Sequence, residues 1–263
     1  MHIDTLNRIA EMALQANKAN VLAEHTPALV LDNKVVSIEH LQEGRSRFRG
    51  KFNTTVLSEY VSYLKANPGG VGFIDPKKCA ASTFINLGDK KAPGHADWVA
   101  KLDLEPTAAY AALLGIEGVP QSQRALAEWI EDWAAVITAE KDGEAMSLSL
   151  ATTAIRNISI DAKKSVTSED RDFGATKSAL EEIEARAKGG MPTRLILRAS
   201  PYPGFCEREF HLRTAIITGD KPHITLRIVG KEAQAEDIAA EFKALLLEYV
   251  DDAATMTLGS FQP

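Results

Sequence analysis

The sequence lacks the features of several large classes of protein. It has only two cysteines among 263 residues, Cys79 and Cys206, which is too few for a disulfide framework and indicates a reducing compartment. No apolar run approaches the roughly 20 residues that a membrane-spanning helix needs. Asp4 and Glu11 stand where a secretion signal would be apolar. We therefore expect a cytoplasmic protein with no membrane partner.

The motifs of common catalytic and cofactor sites are also missing. There is no G-x-x-x-x-G-K-[ST] phosphate loop, no G-x-G-x-x-G fingerprint, no C-x-x-C and no H-E-x-x-H. His95, Asp97 and His211 are the residues from which a scattered site could be assembled, but a zinc site needs three or four ligands and no others lie nearby in the sequence. We expect a binding protein without metal or cofactor, and an enzyme with a scattered His/Asp site is the alternative.

The composition that is present is typical of a globular protein. Hydrophobic residues make up 45% of the chain and charged residues 25%, with a formal net charge of −6. The length fits two modest domains. The turn Lys141-Asp142-Gly143 is the predicted boundary, between an N-terminal α+β domain (1–142) and a C-terminal α+β domain (143–263) that contains an antiparallel hairpin and a long helix.

Hydrophobic periodicity predicts an α+β fold in which antiparallel sheets are flanked by helices. The predicted helices are an amphipathic segment that Asp4 caps, Leu57 to Ala66, Pro106 to Leu114, Gln121 to Thr138, Ala145 to Arg156, Thr176 to Lys188 and Gln234 to Val250. The predicted strands are His25 to Leu31, Val35 to Ile38, Arg45 to Thr55, Val71 to Ile74, Ala80 to Leu87, Trp98 to Leu104, Ile158 to Val166, Thr193 to Ala199, Arg208 to Ile217, His223 to Val229 and an edge strand over Thr255 to Phe261. The strands Arg208 to Ile217 and His223 to Val229 form the clearest hairpin.

One short stretch concentrates positive charge. This basic segment reads Arg45-Ser46-Arg47-Phe48-Arg49-Gly50-Lys51-Phe52. In an extended strand alternate residues share a face, so the three arginines and the lysine would lie on one side while Phe48 and Phe52 anchor the other side in the core. Guanidinium groups make bidentate bonds to phosphate, which favours binding of an anion or a nucleic acid. The alternatives are an edge strand protected by charge, or neutralisation by acidic helices within the fold or across a subunit contact.

Four further residues are candidates for a subunit interface. Trp129 and Trp133 belong to the predicted helix Gln121 to Thr138, where they lie either in the core or in a contact between copies of the chain. Arg213 and Arg227 lie on the polar face of the hairpin, within a ladder of mixed charge. Together with two potential edge strands, these residues indicate a homo-oligomer.

Several segments, taken in order, resemble a known family. The segments that carry the likeness are Arg49-Gly50-Lys51-Phe52, Tyr60-Val61, Phe73-Ile74-Asp75, Gly94-His95, Leu102 to Thr107, Gln123 to Asp132, Pro201-Tyr202 and Phe210 to Arg213. Their order resembles the YfdQ-like family of tailed-phage and prophage proteins, a domain of unknown function. The most specific piece is the helix Ala127-Glu128-Trp129-Ile130-Glu131-Asp132. The resemblance implies a phage origin and action in the cytoplasm of an infected bacterium, and it supplies no catalytic residues.

These observations lead to two hypotheses about function. The first is a non-enzymatic, homo-oligomeric accessory factor of phage DNA metabolism that binds DNA or RNA through the basic segment. The second is a counter-defence protein whose acidic helices and mixed-charge hairpin bind and inhibit a host protein.

Overall fold

The structure is a computed structural model that describes residues 4–13, 28–31, 34–37, 39–41, 43–45, 47–158, 190–217 and 223–263. Within these ranges the chain forms six α-helices and two large, mostly antiparallel sheets. The predicted α+β class is confirmed. The strand expected over 158–166, apart from Ile158, and the helix expected over 176–188 lie outside the described residues.

Backbone contacts divide the chain into two units. The first unit is Met1–Phe52 with Phe84–Ala100, and the second unit is Asn53–Thr83 with Lys101–Pro263. Asp142, the predicted boundary, lies in the turn that joins two strands of one sheet, and a division there stays a prediction. No helix within the described ranges is long and apolar enough to cross a membrane.

Three of the described helices begin where a serine or threonine side chain satisfies a free backbone N–H group. Thr107, Ser122 and Ser147 each accept a hydrogen bond from the N–H three residues ahead. The helices are α1 (4–13), α2 (Leu57–Ala66), α3 (Ala108–Ile116), α4 (Gln123–Asp132), α5 (Leu148–Arg156) and α6 (Lys231–Val250). The predicted bounds of α2 are confirmed at both ends.

The strands form one hairpin and two larger sheets. The hairpin pairs β1 (Ala28–Leu31) with β2 (Lys34–Ser37). The five-stranded sheet has the order β13-β4-β5-β6-β3 and comprises β3 (Gly50–Thr54), β4 (Gly70–Asp75), β5 (Ala80–Phe84), β6 (Trp98–Asp103) and β13 (Ala254–Leu258), the last running parallel to β4. The antiparallel six-stranded sheet has the order β7-β12-β11-β10-β8-β9 and comprises β7 (Gln121–Ser122), β8 (Ile137–Lys141), β9 (Glu144–Met146), β10 (Arg194–Ala199), β11 (Arg208–Ile217) and β12 (His223–Ile228).

The six-stranded sheet has one buried face and one polar face. Alternate residues of its central strands are nearly inaccessible to solvent, namely Leu195, Leu197, Phe210, Leu212, Ile224 and Leu226. Helices α3, α4 and α5 contact strands of this sheet. The predicted hairpin of β11 and β12 is confirmed, because its apolar residues alternate with polar ones as a half-buried antiparallel sheet requires.

The long helix predicted over Gln121 to Thr138 is wrong in its last third. Helix α4 ends at Asp132, and Trp133 is its C-cap. Ile137 begins β8 and pairs with Leu197 of β10. The hydrophobic pattern of a short apolar stretch is compatible with either a helix or a strand. Pairing with β10 therefore determines that the residues from Ile137 form a strand.

Candidate nucleic-acid interface

The basic segment is mostly irregular rather than extended. Strand β3 begins at Gly50, so Arg45, Arg47 and Arg49 precede it and only Lys51 belongs to it. The prediction of one strand over Arg45 to Thr55 is therefore wrong at its N-terminal end. Each arginine side chain forms a hydrogen bond within this part of the chain. Arg45 bonds to a neighbour in the sequence, since its Nη1 donates to the carbonyl oxygen of Arg49 at 3.1 Å.

Two of the four cations are neutralised by carboxylates of the same unit. Arg47 Nη1 donates to Asp97 Oδ1 at 2.5 Å. Arg49 binds Glu39 with both ends of its guanidinium, one contact being 3.2 Å from Nη1 to Oε1. The sequence had suggested helix carboxylates as internal counterions, but Asp97 ends a loop and Glu39 lies in the short 3-10 helix Glu39–Leu41.

Asp97 is the residue that organises this part of the chain. Its Oδ1 also accepts a hydrogen bond from Asn86 Nδ2 at 2.8 Å, and its backbone oxygen accepts from Gly50 N at 3.0 Å. The hydrogen bond from Arg47, followed by that from Asn86, holds the pKa of the Asp97 carboxyl well below its usual range. The same ion pair raises the pKa of Arg47. Asp97 is therefore a bound counterion rather than a free acid or base.

The loop between Asn86 and Asp97 is held in shape by backbone contacts. Asp89 Oδ1 accepts from the N–H groups of Lys91 and Ala92, both at 2.7 Å. A Cβ on Gly94 would lie 1.9 Å from the backbone oxygen of Asn86, so only glycine fits there. Exposed cationic side chains and a histidine lie on this loop, namely Lys90, Lys91 and His95.

Phe48 lies outside the core, contrary to the prediction. Its side chain is 62% exposed, and its ring packs against that of Trp98 with centroids 4.4 Å apart and planes tilted by 50°. Phe52 is half-buried. An aromatic face that is open to solvent, between two arginines in sequence, was missed because Phe48 was assigned by strand alternation to the buried side.

The remaining two cations of the segment are available to a ligand. Arg45 and Lys51 are exposed, and neither forms a salt bridge with a carboxylate in the described part of the chain. In the part of the chain that the structure describes, the site therefore combines two cations without a carboxylate partner, two cations held by ion pairs and one exposed ring. This is the set of groups with which proteins bind single-stranded nucleic acid.

A protein-family model described as "Uncharacterized conserved protein (DUF2303)" matches residues 2–261. The chain belongs to this family. Membership of a family of unknown function was predicted and is confirmed, while the narrower likeness to YfdQ-like phage proteins stays a prediction. No curated protein and no solved structure is significantly similar to the chain.

The other predicted residues of this DUF2303 protein belong to the second unit. Trp129 and Trp133 are half-buried at the end of α4. Arg213 and Arg227 are exposed and lie directly opposite each other on β11 and β12. Their role at a subunit interface stays a prediction.

The histidines considered for a scattered site do not form a metal-binding group in the residues described for this DUF2303 protein. No cluster of three or more His, Cys, Asp or Glu side chains is placed there to hold a metal ion. His95 is exposed, and His211 Nε2 lies 4.0 Å from a carboxylate oxygen of Glu209. Asp97 is occupied by Arg47 and Asn86.

Proposed function

We propose that this protein binds single-stranded nucleic acid through the basic segment, as a non-enzymatic accessory factor of phage DNA metabolism. The observation that carries the proposal is the exposed ring of Phe48, which rests on Trp98 beside the cations of the segment. Bases stack on aromatic side chains without regard to sequence, and cations beside the ring attract the phosphate backbone. The phage context rests on the resemblance to YfdQ-like proteins.

The electrostatic part of the proposal assigns different roles to the four cations. Arg47 and Arg49 are tied to Asp97 and Glu39, so they shape the segment and add little net charge. Arg45 and Lys51 are exposed and supply the positive charge that meets phosphates. A local site of this kind is compatible with a net charge of −6, because salt screens exposed charges that lie more than roughly 10 Å away.

Self-association in the host cytoplasm is part of the same proposal. Three-residue strand β9 and two-residue strand β7 are the edges of the six-stranded sheet, and half-buried tryptophans at the end of α4 are the residues we assign to a contact between copies. Light scattering of the purified protein measures its mass in solution, and a monomer at all concentrations would remove this part of the proposal.

The test is fluorescence anisotropy with a labelled oligothymidylate at low and at physiological salt. We expect Phe48→Ala to weaken binding about tenfold, in line with the free energy of one base–aromatic stack, and Phe48→Trp to retain it. Leu150→Ala is the matched control, because Leu150 is a similarly exposed apolar side chain (60%) on α5. An unchanged affinity of Phe48→Ala, or no binding at low salt, would refute the proposal.

A pull-down from nuclease-treated cell lysate addresses the second hypothesis. The counter-defence role would be favoured by two results together. The purified protein would show no affinity for oligothymidylate, and a host protein would still be captured with it in stoichiometric amount after nuclease treatment.

A further inference from the structure

A row of three arginines crosses the polar face of the six-stranded sheet. In the register of this sheet Arg194 of β10 lies directly opposite Arg213 of β11, and Arg213 lies directly opposite Arg227 of β12. All three residues are exposed. We call Arg194, Arg213 and Arg227 the arginine row. Because neighbouring strands are about 4.8 Å apart, the row is about 10 Å long at its backbone.

Within the described residues the arginine row is only partly neutralised. Glu140 of β8 lies opposite Arg194, with 3.7 Å between Oε2 and Nη1, which is an ion pair without hydrogen-bond geometry. Arg213 and Arg227 form no ion pair with any carboxylate among the residues that the structure describes. Like charges directly opposite on a sheet destabilise it, so folding alone gives no reason for this arrangement.

Another arginine on the same face provides a comparison. Arg198 is also on β10. Its Nη2 lies 3.0 Å from Glu209 Oε1, and its Nε lies 3.6 Å from Glu207 Oε2. This sheet therefore neutralises a neighbouring arginine with two carboxylates, and leaves the arginine row with one carboxylate at one end. As far as the described residues go, the uncompensated charge is concentrated at Arg213 and Arg227.

A surface depression lies at the Arg194 end of the row. It has a volume of about 380 Å³ and is lined by Glu140, Asp142, Gly143, Thr193, Arg194 and Arg213. This volume falls in the range of small-ligand sites. Asp142 N donates to Thr193 Oγ1 at 3.0 Å, which fixes the β8–β9 turn against the start of β10. The walls of the depression are thus held by strand pairing and a side-chain bond.

We propose that the arginine row binds a linear polyphosphate group, free or as part of a nucleoside triphosphate. A guanidinium donates two parallel hydrogen bonds to phosphate oxygens, and three such groups in a line match charges that are also arranged in a line. A single phosphate would engage only part of the row. Glu140 and Asp142 repel anions at the Arg194 end of the row, so Arg194 makes the weakest of the three contacts and Arg213 and Arg227 the strongest. This site is formed by other residues than the basic segment and does not depend on the proposed nucleic-acid function.

The test is isothermal titration calorimetry with inorganic tripolyphosphate, ATP and orthophosphate at one ionic strength. We expect one tripolyphosphate per chain, weaker binding of orthophosphate, and a loss of about tenfold or more for Arg213→Gln or Arg227→Gln, since each removes charge-assisted hydrogen bonds. Equal affinity for tripolyphosphate and ATP would show that the phosphate chain alone is recognised, and tighter binding of ATP would add a contact to the nucleoside.

The controls separate this site from general basicity and from the proposed function. Arg124→Gln removes an arginine on α4 whose side chain is 85% exposed, and it should leave tripolyphosphate affinity unchanged. Phe48→Ala should also leave it unchanged, whatever its effect on oligothymidylate. Without ligand, Arg213→Gln should unfold at the same or a higher temperature than the wild type, because it removes two like-charge neighbours.

Three results would overturn the inference. The first is no binding of tripolyphosphate to the wild type. The second is equal affinity of the wild type and the Arg213→Gln, Arg227→Gln double variant. The third is a double variant that no longer binds oligothymidylate but still binds tripolyphosphate. This result would make the arginine row part of a nucleic-acid surface.

Discussion

Arg47 and Asp97 are 50 positions apart in the chain, and their side chains meet at 2.5 Å between Nη1 and Oδ1. The contact joins the basic segment to the end of the loop that carries Lys90 and Lys91. The guanidinium of Arg47 is thereby held by a carboxylate of the same unit.

The Arg47–Asp97 pair makes stability dependent on pH in the acid range. The pKa of Asp97 is lowered in the folded protein, so its ionised form contributes stability above the ordinary aspartate pKa of about 3.9, and this contribution is lost as the pH falls toward the lowered value. We expect Asp97→Asn to unfold at a lower temperature than the wild type at neutral pH, with a difference that narrows below about pH 4.

Thermal unfolding followed by circular dichroism across this range measures the effect. Asp103→Asn is the matched control, because Asp103 is an exposed aspartate on β6, and its difference from the wild type should be small at every pH. A constant difference between Asp97→Asn and the wild type would mean that the carboxylate does not stabilise the fold through its charge.

The ion pairs of the basic segment should be visible in the salt dependence of oligothymidylate binding. Each phosphate that a cation neutralises contributes about 0.7 to the slope of log affinity against log salt for single strands. We expect Arg45→Gln and Lys51→Gln each to reduce the slope by about this amount, and Arg47→Gln to change it less because Asp97 already compensates Arg47. Equal slope changes for all three variants would contradict this assignment.

Two glycines should respond in opposite directions to the same substitution. A Cβ on Gly94 would lie 1.9 Å from the Asn86 backbone oxygen, so Gly94→Ala should lower the free energy of unfolding by about 2 kcal/mol. Gly115 lies in α3 with nothing within 4 Å of its Cβ position, so Gly115→Ala should raise stability by about 0.5 kcal/mol. Urea unfolding measures both. A neutral Gly94→Ala would mean that the loop relaxes around the methyl group.

The two cysteines should differ in reactivity. Cys79 is 2% exposed and burial raises the pKa of its thiol, while Cys206 is exposed. The neighbouring Glu241 raises the pKa of Cys206, which lowers the fraction of reactive thiolate. We expect an aromatic disulfide reagent to modify one thiol in the native protein, and Glu241→Gln to speed that reaction several-fold at neutral pH.

Glu236→Gln is the control for this prediction, since Glu236 is an exposed glutamate on the same helix, α6. Cys206→Ala should abolish the native reaction. A rate that Glu241→Gln leaves unchanged would show that the carboxylate does not govern the thiol.

Local sequence patterns predicted much of the fold. Helix α2 and the pairing of β11 with β12 agree with the prediction, because each is specified by its own periodicity and by turn residues at its ends. The segment from Trp133 to Ile137 was predicted incorrectly, since a strand beginning there depends on Leu197 of β10, which lies 60 positions further along the chain.

The candidate sites were predicted less completely than the fold. The basic segment was found because its charges are adjacent in the sequence, but the exposure of Phe48 and the partners of Arg47 and Arg49 could not be read there. Asp97 and Glu39 have no signal that distinguishes them from the other acidic residues. Arg213 and Arg227 were found as residues of a polar face, while Arg194 was not.

The sequence by itself determined the α+β class, the alternation that buries one face of the six-stranded sheet, and the concentration of cations between Arg45 and Lys51, because periodicity and composition are local properties. Only the tertiary structure decided which of those cations are neutralised and which arginines share a row. Register and strand order bring together residues such as Arg194, Arg213 and Arg227, and these depend on packing of the whole sheet.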